Sequence, residues 1–188
     1  MKAIGIVGSP RKNGNTEFIT KHTLKAIEEE GIETELITLA DLNIQPCDGC
    51  LTCASEETCT IDDDIFLVYR KMKAADAIIL ATPVYFGSAT AITKALMERT
   101  GAIGRSQRGI WASKAGGPLV VGRRAGKNFT LAQLTLWFQA LGFFIPGSTH
   151  YTVAIGRERG DVEDDKEGLK TAWRFGKNMA LLVKKLRS

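Results

Sequence analysis

The four cysteines of this 188-residue chain all lie in one short segment, residues 47–59, with the sequence CDGCLTCASEETC. Cys47, Cys50, Cys53 and Cys59 have the spacing C-x2-C-x2-C-x5-C. Four thiolates this close in sequence are typical of iron–sulfur clusters, whereas zinc sites more often use two separated cysteine pairs. The pattern therefore favours a [4Fe–4S] cluster. Zinc, disulfides and free thiols remain as alternatives.

A second candidate site is the polar loop GSPRKNGNT, residues 8–16, which follows a short apolar run. The loop matches neither the G-x-G-x-x-G fingerprint nor the G-x-x-x-x-G-K-[ST] motif. Its polar side chains, its arginine and the free N–H groups of a helix start instead suit a single phosphate monoester. The alternative is that Asn15 or Thr16 only caps the helix. The candidate phosphate-binding residues are Ser9, Arg11, Asn13, Asn15 and Thr16.

Two further loops could hold a flat ring such as isoalloxazine. Residues 82–89, TPVYFGSA, offer apolar and aromatic walls, and a glycine there allows close backbone approach. An aromatic pair in a loop is equally compatible with core packing. Residues 122–127, GRRAGK, either cover the same ligand or form a solvated basic turn. The candidate ring-binding residues are Pro83, Val84, Tyr85, Phe86 and Gly87, with Gly122 from the second loop.

An alternation of strands and helices is expected to position these loops. Apolar runs predict strands over 2–8, 33–39, 77–83 and 117–122, and a last strand within 143–147 or 151–156. Periodic or strongly apolar segments predict helices over 17–31, 62–75, 88–100, 128–142 and 163–186. This order predicts an α/β fold, a doubly wound five-stranded parallel sheet in the order 2-1-3-4-5 with helices on both faces. The candidate loops and the cysteine segment should then share the sheet edge where the strands end.

No linker or internal repeat divides the chain, so we expect one domain over 1–188 with the cysteine segment 47–59 as an insertion. The helix over 128–142 is apolar around much of its circumference, which predicts a contact between subunits. The residues that indicate this contact are Leu134, Leu136, Trp137, Phe138 and Leu141.

Composition excludes several classes of function. The net charge is +4, and no long basic run indicates nucleic-acid binding. No apolar run is long enough to span a bilayer and no signal peptide is evident, so we expect a cytoplasmic protein that does not bind membranes. The two histidines, His22 and His150, belong to no Ser/His/Asp or H-E-x-x-H arrangement, and neither has a carboxylate or nucleophile partner by sequence, which argues against hydrolase chemistry.

Together, GSPRKNGNT, TPVYFGSATA and the cysteine segment resemble the iron–sulfur flavoprotein family, a part of the NADPH-dependent FMN reductase-like branch of flavodoxin-like proteins. The resemblance covers nearly the whole chain. It implies noncovalent FMN, with the phosphate on residues 9–16 and the ring against residues 83–87, and a [4Fe–4S] cluster on the four cysteines. It also implies a homodimer or homotetramer.

The leading hypothesis is an oxidoreductase that carries electrons from a one-electron donor such as ferredoxin, through the cluster and FMN, to a small acceptor. The first alternative is a NAD(P)H-dependent FMN or quinone reductase. A redox-sensing binding protein is the second. The basic residues between 105 and 127 are a candidate docking surface for an acidic donor.

Overall fold

The computed structural model describes residues 1–107 and 109–188. The strands and helices are β1 (Lys2–Val7), α1 (Asn15–Glu28), β2 (Glu33–Thr38), α2 (Ile65–Ala74), β3 (Ala77–Pro83), α3 (Ala91–Ser106), β4 (Ala115–Gly122), α4 (Lys127–Ala140), β5 (Val153–Ile155) and α5 (Lys166–Arg187). All strand pairs are parallel, and the sheet order is β2-β1-β3-β4-β5. The predicted α/β fold and strand order are therefore confirmed.

Helices cover both faces of the sheet because its inner strands are apolar at nearly every position. Successive residues of a strand point to opposite faces. In β3, Ile78 and Leu80 accordingly pack in the layer formed by α2, α3 and α4. Ile79 and Ala81 pack in the opposite layer, against α1 and α5. Such continuous apolar strands are expected in a parallel sheet that is buried on both sides.

Two glycines of β4 allow aromatic side chains to approach the sheet closely from each face. A Cβ atom on Gly116 would lie 2.7 Å from the ring of Phe138 in α4, and one on Gly117 would lie 2.8 Å from the ring of Phe175 in α5. Larger residues at either position would push a helix away from the sheet. The lack of side chains at these two glycines of β4 therefore allows α4 and α5 to pack close to the sheet.

The structure decides two points that the sequence left open, the position of β5 and the surroundings of α4. Of the two segments proposed for β5, the second contains the strand, while the first contributes only a bridge between Phe144 and Ala115. In α4, Leu134 and Phe138 are fully buried in this chain's own core, so the prediction that they form a subunit contact is wrong. Leu136 is the residue of that set that stays exposed.

In the part of the chain that the structure describes, no helix is both long and apolar enough to cross a membrane.

Candidate functional site

A cleft lies at the edge of the sheet where β1, β3, β4 and β5 end. This is the edge at which open parallel sheets bind their ligands. It contains eight of the eleven predicted cofactor-binding residues, while Asn13, Phe86 and Gly87 lie beside it. The lining residues are Ser9, Arg11, Gly14, Asn15, Thr16, Pro83, Val84, Tyr85, Val121, Gly122, Arg123, Gly156, Arg157 and Arg159.

The loop after β1 presents backbone N–H groups to this cleft. Gly14 occupies the residue before α1 and provides no side-chain cap, so neither Asn15 nor Thr16 caps the helix. The N–H groups of the first helical turn have no partner within the helix, and together with the helix dipole they favour an anion. The Ser9 hydroxyl oxygen accepts a hydrogen bond from the backbone N–H of Arg11 at 3.1 Å, which folds the loop around the cleft.

The carboxylate of Glu17 holds the same loop in place. Asn13 has a left-handed backbone conformation (φ +51°), and its N–H donates to the Glu17 carboxylate at 2.7 Å. Lys21 donates to the other carboxylate oxygen at 2.6 Å. Burial by itself would raise the pKa of Glu17, but the hydrogen bonds from Lys21 and Asn13 outweigh it and lower the pKa. The carboxylate therefore stays charged and holds Asn13 in place.

Asn15 connects the first loop to the loop after β5. Its amide nitrogen donates to the carbonyl oxygen of Glu158 at 2.7 Å, and its amide oxygen accepts from the N–H of Gly160 at 2.9 Å. This places Arg157 and Arg159 on the wall of the cleft. The sequence analysis missed both arginines because they follow a three-residue strand for which it proposed two alternative segments. Their position two and four residues after β5 is the signal that could have found them.

The loop after β3 supplies the aromatic wall. Tyr85 and Ser88 exchange two backbone hydrogen bonds, of 2.9 and 3.1 Å, and close a turn in which Phe86 (φ +50°) and Gly87 (φ +80°) are both left-handed. Such a turn favours glycine and tolerates phenylalanine only at a cost. Phe86 is fully exposed and Tyr85 is 43% exposed, so the pair is not packed into the core. The core-packing alternative for these aromatics is thereby excluded.

The cysteine segment begins at the same sheet edge and then leaves it. An ion pair between Lys12 and Asp41, six residues before Cys47, ties the chain that leads into the segment to the loop after β1. Farther along, the Glu57 carboxylate accepts hydrogen bonds from Tyr69 at 2.9 Å and from Lys73 at 2.6 Å, near the end of α2. The Ser106 hydroxyl at the end of α3 donates to the Glu56 carbonyl oxygen at 3.5 Å. The expectation that the whole segment shares the edge with the cleft is wrong, because its second half packs along α2 and α3.

The four thiols differ in exposure. Cys47 and Cys50 are exposed, whereas Cys53 and Cys59 are half-buried and pack against the core. Burial, followed by the neighbouring thiol of Cys47, raises the pKa of Cys53. A hydrogen bond between the Cys50 sulfur and the Thr60 hydroxyl, 3.2 Å long, lowers the pKa of Cys50. Among residues 1–107 and 109–188, no three His, Cys, Asp or Glu side chains are already arranged to hold a metal ion.

A buried arginine lies beneath this segment. Arg99 of α3 is 1% exposed and forms an ion pair with Asp63, whose side chain is fully buried. Its guanidinium also donates to the Cys59 sulfur at 3.2 Å. The sequence analysis did not single out Arg99. The signal was a lone arginine among the apolar positions of a helix, which calls for a buried partner.

The fold and the cleft define a flavodoxin-like protein, and comparison with a solved structure agrees. A WrbA-like flavodoxin from Agrobacterium tumefaciens superposes with a TM-score of 0.69 at 19% identity, over 98% of each chain. The likeness at this identity shows the fold alone. The family model described as NADPH-dependent FMN reductase matches residues 1–158.

Curated relatives narrow the assignment. An iron–sulfur flavoprotein from Methanocaldococcus jannaschii is 42% identical over 196 residues, which cover all of both chains. A second iron–sulfur flavoprotein, from Methanosarcina thermophila, is 35% identical over 95% of this chain and 93% of its own. The chain belongs to the NADPH-dependent FMN reductase family, in its iron–sulfur flavoprotein branch. It is a flavin-dependent oxidoreductase.

Proposed function

We propose that this protein accepts electrons one at a time from a donor such as ferredoxin at a [4Fe–4S] cluster and passes them through FMN to a small acceptor. FMN and an iron–sulfur cluster, the predicted cofactors, are supported by the family and by the names of the curated relatives. The observation that carries the proposal is the presence of a four-thiol segment and a separate anion-binding cleft in one chain of 188 residues. When bound, the cluster exchanges single electrons and FMN exchanges one or two.

The positive charge of the cleft and its apolar wall both suit FMN. The uncapped start of α1 and the guanidinium groups of Arg11, Arg123, Arg157 and Arg159 suit a dianionic phosphate. Pro83, Val84 and Tyr85 offer an apolar wall next to the exposed Phe86–Gly87 turn. We assign the phosphate to Ser9, Arg11, Asn13, Asn15 and Thr16. The ring is assigned to Pro83, Val84, Tyr85, Phe86, Gly87 and Gly122.

The cysteine segment fits a cluster through the chemistry of its donors. Four thiols occur with no competing histidine, and a buried guanidinium donates to one of the sulfurs. The Nε–H of Arg99 is also buried and has no partner in the described part of the chain. An orphaned donor on a guanidinium that contacts the Cys59 thiol fits an anionic group that carries sulfur acceptors. We assign Cys47, Cys50, Cys53 and Cys59 as the ligands.

The chain's own residues orient and screen the cofactors. Asn15 holds the loops after β1 and β5 together, which fixes the arginines around the phosphate. The backbone hydrogen bond from Val84 to Val121, 2.8 Å long, holds the ring loop against β4. The exposed Tyr85 and Phe86 leave this wall open to a small acceptor or to another subunit. We therefore propose a homodimer or homotetramer in which the whole chain, 1–188, acts as one unit.

Two features support an acidic protein donor and a reducing compartment. Arg105 is exposed one residue before Ser106, whose hydroxyl contacts the backbone of Glu56, three residues before Cys59, so a basic residue lies at the end of α3 that the cysteine segment approaches. Cysteine thiols stay reduced, and therefore able to ligate a cluster, in a reducing cytoplasm. Reduction by ferredoxin should slow as salt rises if charge guides this docking.

The test is anaerobic purification followed by determination of iron, sulfide and FMN. The proposal requires about four iron and four sulfide per chain, together with one FMN. Stopped-flow mixing with reduced ferredoxin should then bleach the flavin faster than NADPH does. One zinc per chain without sulfide would remove the cluster from the proposal.

The family description favours a second candidate, a reductase that takes hydride directly from NADPH. The same stopped-flow experiment separates the two. If NADPH alone bleaches the flavin within the mixing experiment and ferredoxin does not, this second function replaces the first.

A further inference from the structure

One buried guanidinium joins both ends of the cysteine segment to α3. The Nη1 atom of Arg99 donates to the Gln45 carbonyl oxygen at 3.2 Å, two residues before the first cysteine. It also pairs with Asp63, four residues after the last cysteine. The Nη2 atom donates to the Ile61 carbonyl oxygen at 3.2 Å. A single side chain therefore closes the loop that carries all four thiols.

Asp63 completes this closure and keeps the buried pair satisfied. Its two carboxylate oxygens accept from the N–H of Gln45 at 2.8 Å and from the N–H of Ile65 at 3.1 Å. The side chains of Arg99 and Asp63 are 1% and 0% exposed. A buried ion pair is retained without a large penalty only when its remaining donors and acceptors find partners.

The guanidinium does more than a structural anchor requires. A clamp on the two ends of the loop needs only Asp63 and the two carbonyl oxygens. The Nη2 atom, however, also points at the Cys59 sulfur, 3.2 Å away, and the Nε–H is left without a partner in the described residues. Hydrogen bonds to a ligating sulfur, and positive charge next to it, stabilise the more negative reduced state of a cluster.

We propose that Arg99 is the positioning residue of the iron–sulfur site: its guanidinium orients Cys59 as a ligand and raises the reduction potential of the cluster. This inference rests on the cluster of the proposed function. It assigns no role to Arg99 at the flavin, because its contacts lie within residues 45–63, that is, on the cysteine segment and the residues that flank it. The two cofactors should therefore respond differently to its substitution.

The test compares anaerobically prepared holoprotein of the wild type with Arg99→Lys, which keeps the charge but not the planar fork. Iron release to a chelator should become at least about tenfold faster, as for other residues that orient metal ligands. In spectroelectrochemistry the cluster midpoint should move to more negative potential, while the FMN midpoint stays unchanged. The matched control is Lys94→Gln, which removes an exposed charge from the same helix and should change neither value.

A second variant guards against misfolding. Arg99→Gln combined with Asp63→Asn removes both buried charges, so neither is left unpaired; because Arg99 and not Asp63 contacts the Cys59 sulfur, the loss of Arg99 should dominate and the cluster midpoint should again move to more negative potential. If the cluster retained by either variant has the wild-type midpoint, Arg99 is only a structural clamp and the proposal is overturned. Wild-type protein without iron and sulfide would instead remove the proposed function itself, and with it this inference.

Discussion

The flavin cleft and the cysteine segment differ in how far the protein alone shapes each of them for its cofactor. The cleft is preformed by backbone: strand ends, an uncapped helix start and a turn with two left-handed residues hold its walls. The cysteine segment is held by its flanks, where Asp63, Asp64 and Arg99 bind the backbone of residues 43–45, and by its second half, which packs along α2 and α3. Between those flanks, Cys47 and Cys50 are exposed. A sheet edge can shape a site by itself, whereas an insertion needs its cofactor to complete it.

Removal of a thiol should give the largest effect and the cleanest separation of the two regions. Cys50→Ala is expected to cause loss of the cluster, because it removes one of the four thiolates proposed to hold it. FMN content should stay near that of the wild type, since Cys50 does not line the cleft. Iron, sulfide and flavin determination on the same sample measures both. Joint loss of FMN would mean that the cleft depends on the cysteine segment.

Arg11→Gln should produce the opposite pattern. Loss of a charge-assisted hydrogen bond to the phosphate should weaken FMN binding about tenfold or more, while iron content is kept. Fluorescence titration of FMN-depleted protein checks the affinity. Lys12→Gln is the control, because Lys12 is the adjacent cation but pairs with Asp41 and does not line the cleft. Equal losses in both variants would reduce the effect to net charge.

Gly87→Ala tests the preformed turn directly. Nothing lies within 4 Å of an added Cβ atom, so the cost comes from the backbone conformation (φ +80°) alone. We expect a loss of about 1 kcal/mol in unfolding free energy, the usual cost of a left-handed non-glycine residue. Urea denaturation of the FMN-free protein measures it. Gly147→Ala, at an exposed glycine without positive φ, should change little by comparison.

The smallest effect is expected from Glu17, which braces Asn13 under the cleft. Because its pKa is lowered in the folded chain, its contribution to stability is full above the unfolded pKa, near 4.5, and is lost as the pH falls through the folded pKa. Urea denaturation of FMN-free protein should show Glu17→Gln to be less stable at neutral pH, with the gap narrowing in acid. The exposed Glu28→Gln is the control and should lose little stability at neutral pH. A constant gap at all pH values would contradict the proposed charge contribution.

Local sequence patterns were enough to predict much of the fold and most of the cleft. The apolar run of β3 and the turn signals around it predicted a buried central strand followed by a binding loop, and Pro83, Val84 and Tyr85 do line the cleft. The subunit contact predicted on α4 failed for Leu134 and Phe138, because both side chains are buried in the chain's own core, where Gly116 of β4 makes room for Phe138. An apolar helix face does not say which surface will cover it.

The sequence by itself determined the succession of strands and helices, the loops after β1, β3 and β4, and the cysteine spacing, because each depends on residues close together in the chain. Only the tertiary structure decided which distant residues complete these sites. Asn15 meets the loop after β5 across more than 140 residues, and Arg99 meets Cys59 across 40. Such contacts follow from the packing of helices on the sheet, which a local pattern does not encode. The course of the cysteine segment along α2 and α3 has the same origin.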